Sequence, residues 1–113
     1  MNRKPTKNTR GPNIDEKRFM AWVKWQNCCC CGVAGPSIVD HAFGATFKHN
    51  KVLIGHWFIL PLCPLCDSVD THGSRRAFRD KFGPKSELWL KLIEKTSVDV
   101  PIDVVNAIKD WGK

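Results

Sequence analysis

Apolar residues recur at three- and four-residue spacing in three segments of the chain, and this periodicity is typical of amphipathic helices. The first segment runs from Ile14 to about Gln26, with acidic residues in its first turn, where they favour a helix N-terminus. A second helix is predicted from a cap at Ser86 to Lys95, and a third after Asp99 and Pro101. The apolar stripes are Phe19, Trp22 and Val23; Leu88, Trp89, Leu92 and Ile93; and Val104, Val105, Ile108 and Trp111.

The middle of the chain has a different pattern, with short apolar runs bounded by Gly and Pro. The run from Ser37 to Ala42 is rich in β-branched residues and predicts a strand. A second, largely buried strand is predicted from His56 to Leu60. A helix is expected to follow, capped by Asp67 or Ser68 or beginning only at Ser74, and to end near a Gly-Pro pair.

The length of 113 residues gives room for one domain with a modest core. Helices at both ends with strands between them predict the α+β class. Residues 14–113 are expected to form the domain. Residues 1–13 contain four basic residues among Pro, Thr, Asn and Gly, which predicts a disordered basic arm.

Six cysteines lie in two short stretches, and each stretch contains a Cys-x-x-Cys pair. Two such pairs can hold one tetrahedral zinc ion, because each turns the backbone so that two thiolates converge. A structural zinc is a common supplement to the core of a small domain. The predicted ligands are Cys28, Cys31, Cys63 and Cys66.

Two alternatives remain for the cysteines. Cys29 and Cys30 are expected to be small buried residues or exposed thiols, although a register that uses Cys29 as a ligand is possible. Three disulfides in a secreted protein are the other alternative. The N-terminal residues lack the apolar stretch of an export signal, which favours a reducing compartment.

Three further residues of the ligand type lie within or just after this cysteine-rich region: Asp40, His41 and His72. Ligand-type residues left over beside a closed zinc site are what a second, catalytic metal needs. Asp40 and His72 are the predicted ligands of Mg²⁺ or Mn²⁺. His41 is the predicted base that activates water, since the ordinary pKa of imidazole, about 6.5, suits proton transfer near neutral pH.

The formal net charge is +7, from 18 Lys and Arg against 11 Asp and Glu, which favours a polyanionic partner such as nucleic acid. Candidate phosphate contacts are Lys48 and Lys51 before the second strand, and Arg75, Arg76 and Arg79 on the helix that follows it. A solvated basic surface is the alternative. The longest apolar run, from Val52 to Cys63, is interrupted and too short to span a bilayer, so we expect a soluble protein.

The order of a strand ending in His, a loop, a strand, a Cys-x-x-Cys pair and a helix resembles the HNH nucleases, which have the ββα-metal fold. The similarity covers about residues 26–96. Within this class, one stretch looks like the phage recombination-enhancement nucleases that depend on RecA, the Ref-like family. That stretch is Phe58-Ile59-Leu60-Pro61-Leu62-Cys63-Pro64-Leu65-Cys66, followed by His72, Phe78 and Phe82-Gly83.

The resemblance implies a small zinc-stabilised ββα-metal core with flanking helices, a structural zinc on the four cysteines and His41 as general base. It also implies that Asp40 and His72 hold the catalytic ion. The family often has His at the positions of Cys66 and Asp67, and its two helical ligands are usually four residues apart. Since Asp67 and His72 are five apart, the third ligand is either Asp67 or a water molecule.

The expected function is therefore an endonuclease that cleaves DNA in phage recombination or DNA processing. DNA and a RecA-type filament are the implied partners, and the cytoplasm of a bacterial host is the implied compartment. One rival is a non-catalytic zinc module that binds nucleic acid or a host protein. A second is a phage inhibitor or adaptor that reuses the fold for contacts.

Overall fold

The computed structural model describes residues 12–42, 47–69 and 73–112, with the side chain of Arg75 left out. The α+β class is confirmed by five helices and four strands within these residues. The helices are α1 (Ile14–Lys24), α2 (Pro64–Ser68), α3 (Arg75–Phe82), α4 (Lys85–Ile93) and α5 (Ile102–Trp111), and the strands are β1 (Ile38–His41), β2 (Lys48–His49), β3 (Val52–Leu53) and β4 (Ile59–Leu62). Most of the predicted N-terminal arm, residues 1–11, and His72 lie outside the described residues.

Helix α1 begins with reciprocal hydrogen bonds between Asn13 and Glu16. The Asn13 side chain accepts from the backbone N–H of Glu16 at 2.8 Å, and Glu16 Oε1 accepts from the backbone N–H of Asn13 at 3.0 Å. Such a capping box satisfies two donors that the first helical turn leaves without partners. Phe19 and Val23 are fully buried, as the apolar periodicity predicts.

Strands β1 and β4 form a two-stranded antiparallel ladder, in which Ile38 lies opposite Leu62 and His41 opposite Ile59. The predicted start of the second strand at His56 is wrong. Residues Gly55–Trp57 form a single 3-10 turn, and Gly55 adopts a positive φ of 53° there. The strand begins at Ile59 because this turn comes first, and all four of its residues are buried.

A second, smaller hairpin lies between the two strands of the ladder in sequence. Strands β2 and β3 pair through Lys48 with Leu53 and His49 with Val52. The two turn residues, Asn50 and Lys51, both adopt positive φ, 52° and 67°. A two-residue turn of this kind matches the twist of the strands it joins. Lys48 and Lys51, the candidate phosphate contacts before the second predicted strand, therefore lie in a hairpin.

The chain after β4 is helical but interrupted. Helix α2 begins at Pro64, where Cys63 is the N-cap, earlier than predicted. Helix α3 begins after Ser74, whose hydroxyl accepts from the N–H of Ala77 at 3.0 Å, so the predicted start at Ser74 is confirmed. The predicted cap at Ser86 is wrong, since Pro84 precedes α4 and Ser86 is buried in the first turn.

The main core lies where α1, β4, α4 and α5 meet. Its largest fully buried side chains include Phe19, Phe58, Trp89, Ile59 and Ile108. The indole N–H of Trp89 donates to the carbonyl of Trp57 at 2.7 Å, so the one polar atom of this buried side chain has a partner. A smaller second core surrounds the cysteines and contains Leu62 and Phe78.

Candidate metal centre and histidine site

The structure brings together the four cysteines that the spacing singles out: Cys28, Cys31, Cys63 and Cys66. Their sulfur atoms all lie within 4.8 Å of one another, and those of Cys31 and Cys63 are 3.6 Å apart. Zinc–sulfur bonds of about 2.3 Å in a tetrahedron place sulfurs about 3.8 Å apart. Three of the four residues are buried, and four soft thiol donors in this geometry can hold an ion such as zinc.

Backbone hydrogen bonds shape the first Cys-x-x-Cys turn. The N–H of Gly32 donates to the carbonyl of Cys28 at 2.9 Å, and the N–H of Cys28 donates to the carbonyl of Val33 at 3.0 Å. Gly32 has a φ of 80°, a conformation that favours glycine. The N–H of Cys29 donates to the carbonyl of Pro61 at 2.9 Å, which joins this turn to β4.

The start of helix α2 shapes the second turn. The N–H of Asp67 donates to the carbonyl of Cys63 at 2.9 Å, and the N–H of Cys66 donates to the sulfur of Cys63 at 3.4 Å. The thiol of Cys63 therefore caps the helix while it faces the other three sulfurs. The two turns converge because one is attached to β4 and the other continues from it.

The surroundings shift the pKa values of Cys28 and Cys66 in opposite directions. Burial raises the pKa of Cys28, but backbone N–H groups of Cys31, Cys63 and Cys30 outweigh it and lower the pKa from 9.0 to about 6. Burial raises the pKa of Cys66, and the neighbouring thiols add to the increase. Of these two thiols, Cys28 loses its proton more easily, and metal binding displaces the protons that the ligands still carry.

Cys29 and Cys30 lie outside the quartet. Their sulfurs are 4.0 Å apart, and both residues are half-buried. The hydrogen bond with the Cys29 thiol, followed by burial, raises the pKa of Cys30, so this thiol stays protonated. All six cysteines are free thiols.

Asp40 has a lysine as its neighbour. The Nζ atom of Lys85 lies 3.0 Å from Asp40 Oδ2, and the two side chains are only 12% and 13% exposed. The same ammonium lies 4.9 Å from the ring centroid of Phe78. A cation therefore already sits beside the carboxylate that the sequence assigns to a catalytic metal.

The other predicted ligands of the catalytic ion are placed only in part. Asp67 lies half-buried in α2, and His72 is outside the described residues. Across residues 12–42, 47–69 and 73–112, the cysteine quartet is the only close group of three or more metal-ligand residues. The catalytic ion stays a prediction.

His41 is paired with a second histidine, His56, which no sequence pattern singles out. Its Nε2 atom lies 3.0 Å from Nδ1 of His56, and the two rings meet edge to face with centroids 5.2 Å apart. Burial, followed by the charge of the His56 ring, lowers the pKa of His41 from 6.5. His41 is therefore neutral near physiological pH, the state in which an imidazole accepts a proton.

Glu16 is a buried carboxylate that holds the backbone of His56. It is fully buried, and its Oε2 atom accepts from the backbone N–H of His56 at 3.1 Å while Oε1 caps α1. A buried carboxylate is costly unless it is hydrogen-bonded, so Glu16 fixes the 3-10 turn against α1. No local pattern predicts this contact, since an acidic residue in the first turn of a helix is already explained by the helix N-terminus.

The candidate phosphate-binding residues lie in two separate regions, the β2–β3 hairpin and helix α3. Lys48 is exposed in β2 and Lys51 is exposed in the hairpin turn, while Arg76 and Arg79 are exposed on α3. The side chain of Arg75 is outside the described part. In the stretches that the structure describes, no helix is long and apolar enough to cross a membrane.

The fold and the quartet define the class: a small α+β protein with a four-cysteine cluster that can hold a metal such as zinc. The chain belongs to a family described as protein of unknown function (DUF968), which matches residues 3–100. It is 31% identical over 85 residues to "Uncharacterized protein YdfU" of Escherichia coli (strain K12), a match that covers 71% of this chain and 22% of the relative. The matched region thus spans about a fifth of the relative's length. No solved structure matches the chain.

Proposed function

We propose that this protein is a metal-dependent endonuclease of the HNH class that cleaves DNA phosphodiester bonds. The observation that carries the proposal is the position of Asp40 and His41 at the end of β1, in a ladder whose other end leads into the cysteine quartet. A zinc ion on the quartet would hold β4 and the first Cys-x-x-Cys turn together. The ladder would then fix the direction of the two side chains at its far end.

His41 is the proposed base. In one tautomer of the pair, the Nε2–H of His41 donates a hydrogen bond to His56 Nδ1, and the free lone pair of the His41 ring is then on Nδ1. That nitrogen would take a proton from the attacking water. His56 would orient the ring, and Glu16 would hold His56 through its backbone N–H.

The catalytic ion would be held by Asp40 with His72, and by Asp67 or a water molecule as a third ligand. When bound, Mg²⁺ or Mn²⁺ supplies positive charge to the scissile phosphate and to the leaving oxygen. Lys85 would have to leave Asp40 or remain beside it as a second cation near the phosphate. The exposed basic residues of β2, the hairpin turn and α3 would contact the DNA backbone.

The second candidate is a non-catalytic zinc module that binds nucleic acid or a host protein, which includes a phage adaptor. The Asp40–Lys85 ion pair favours it, because a carboxylate already paired with a lysine has a structural role that needs no metal. The pairing of His41 with His56 is open to the same interpretation.

The deciding experiment measures cleavage of supercoiled plasmid and of single-stranded DNA with Mg²⁺ or Mn²⁺, with and without added RecA. His41→Ala is compared with the wild type and with His49→Gln. His49 is the control histidine, because it lies in β2 and pairs with Asp110 of α5, away from the His41–His56 pair. Loss of the base is expected to slow cleavage by about 100-fold or more. Equal rates for the wild type and His41→Ala, or no cleavage by either, would favour the module.

A further inference from the structure

A pocket between the first Cys-x-x-Cys turn and helix α4 has no part in the proposed chemistry. Its volume is about 560 Å³, within the usual range for ligand sites. We call it the Trp25 pocket, and its main walls are Trp25, Asn27, Cys29, Leu88, Lys91 and Lys95. It combines one large aromatic surface, two cations and no carboxylate among its lining residues.

Trp25 is the most exposed of the five tryptophans, with 65% of its surface open to solvent. The backbone that carries it is held on both sides: the N–H of Ser37 donates to the carbonyl of Lys24 at 2.7 Å, and the Ser37 hydroxyl donates to the carbonyl of Gln26 at 2.7 Å. Gly35 packs against the same carbonyl so closely that an added Cβ would lie 2.7 Å from it. The exposed indole is thus displayed on a fixed backbone.

One lysine lies over this indole, and two more line the same pocket. The Nζ atom of Lys24 lies 5.7 Å from its ring centroid. Lys91 and Lys95 are one turn apart on or just after α4, on the same side, and both are exposed. The thiolates of a zinc-bound quartet would place negative charge at the floor of the pocket, so an anion is expected on the lysine side and an uncharged ring on the indole side.

We propose that the Trp25 pocket binds a single strand of nucleic acid, with one base stacked on Trp25 and the adjoining phosphates on Lys91 and Lys95. An exposed aromatic ring beside a basic groove is the arrangement that single-stranded nucleic acid recognises. A duplex is excluded from the stacking contact because its bases already stack on their neighbours. The site binds a strand and does not cut it. The proposal therefore goes beyond the proposed nuclease and still holds if the protein cleaves no DNA.

The test measures fluorescence anisotropy of labelled oligo-dT, oligo-rU and a duplex, each of about 15 units, with zinc-loaded protein and no added Mg²⁺. Trp25→Ala is expected to weaken binding of the single strands about 10-fold, and Trp25→Phe to retain most of it. The double variant Lys91→Gln/Lys95→Gln is expected to make the negative slope of log affinity against log salt shallower by about 1.4, because two phosphate contacts are lost. The matched controls are Ile102→Ala, at an apolar residue of α5 that is also exposed, and Lys109→Gln, and both should bind as the wild type does.

Binding of either oligo-dT or oligo-rU with these losses supports the site, and a preference for one identifies the sugar. The proposal is overturned if the wild type binds no single strand at low salt, if Trp25→Ala binds within twofold of the wild type, or if the duplex is weakened equally. Thermal melts confirm that each variant folds. Should Trp25→Ala fail to fold, the smaller salt dependence expected of the lysine variant, compared with Lys109→Gln, decides the question. Cleavage activity enters none of these readouts.

Discussion

Replacing Cys63 with Ser removes one of the four converging sulfurs and is expected to unfold the region around them. Apart from the hydrogen bonds within the two turns and the one to β4, the six-residue segments 28–33 and 63–68 are held by the small core around the cysteines. Ordering about 12 residues costs about 12 to 24 kcal/mol of backbone entropy. Full burial of Leu62 and Phe78, the two large side chains of this smaller core, offsets only about 3 to 6 kcal/mol.

Zinc bound by four thiolates closes the difference, since a structural site of this kind contributes about 10 to 16 kcal/mol. The serine hydroxyl is a poor replacement, because it is not deprotonated near neutral pH and is a harder donor than sulfur. It also replaces the sulfur that caps helix α2. We therefore expect loss of zinc and of the cooperative melt together.

The measurement is the zinc content of the purified protein by metal analysis, together with thermal unfolding followed by circular dichroism, with and without chelator. Cys30→Ser is the matched control, since this residue lies in the same turn but outside the quartet. It should keep one zinc per chain and melt close to the wild type. A wild-type melt that chelator does not change, or a Cys63→Ser protein that keeps its zinc, would refute the reasoning.

Three further substitutions test single contacts. Glu16→Ala is expected to lower the free energy of unfolding by about 2 to 4 kcal/mol, because it leaves two backbone donors without their acceptor. Urea denaturation measures this loss, and Asp15→Ala, on the exposed side of the same turn, is the control that should cost little. Lys85→Gln is expected to raise the affinity of Asp40 for Mn²⁺ about tenfold, measured by calorimetry, because a competing cation is removed. Unchanged or undetectable Mn²⁺ binding would show that the ion pair has a structural role. Trp89→Phe is expected to lower the free energy of unfolding by about 2 to 3 kcal/mol in the same assay, because it removes the donor to a buried carbonyl and leaves a small void. A decrease of less than about 0.5 kcal/mol would contradict this.

The class of the fold was accessible from the sequence because it depends on short-range pattern. The three- and four-residue spacing predicts α1 and α5, and the β-branched run predicts β1 to within a residue at each end. The boundaries near Gly55 and Ser86 were missed, since turn geometry and burial there are set by contacts with other elements. Propensity gives no information about such contacts.

The candidate site divides in the same way. The quartet could be predicted because two Cys-x-x-Cys pairs have few other uses in a small chain without disulfides. The position of His41 at the end of a strand followed from the strand prediction. Its pairing with His56 did not, because a histidine next to a buried strand is more often a bystander.

The sequence by itself determined the helical stripes, the strand that ends in Asp40 and His41, and the two cysteine pairs. Each is encoded by residues a few positions apart, so local periodicity and spacing are enough to specify it. Only the tertiary structure decided the partners of the polar side chains. The contacts of His41 with His56, of Glu16 with His56 and of Asp40 with Lys85 join residues 15, 40 and 45 positions apart. Packing of α1, the 3-10 turn and α4 around the ladder creates these contacts, and no pattern along the chain records that packing.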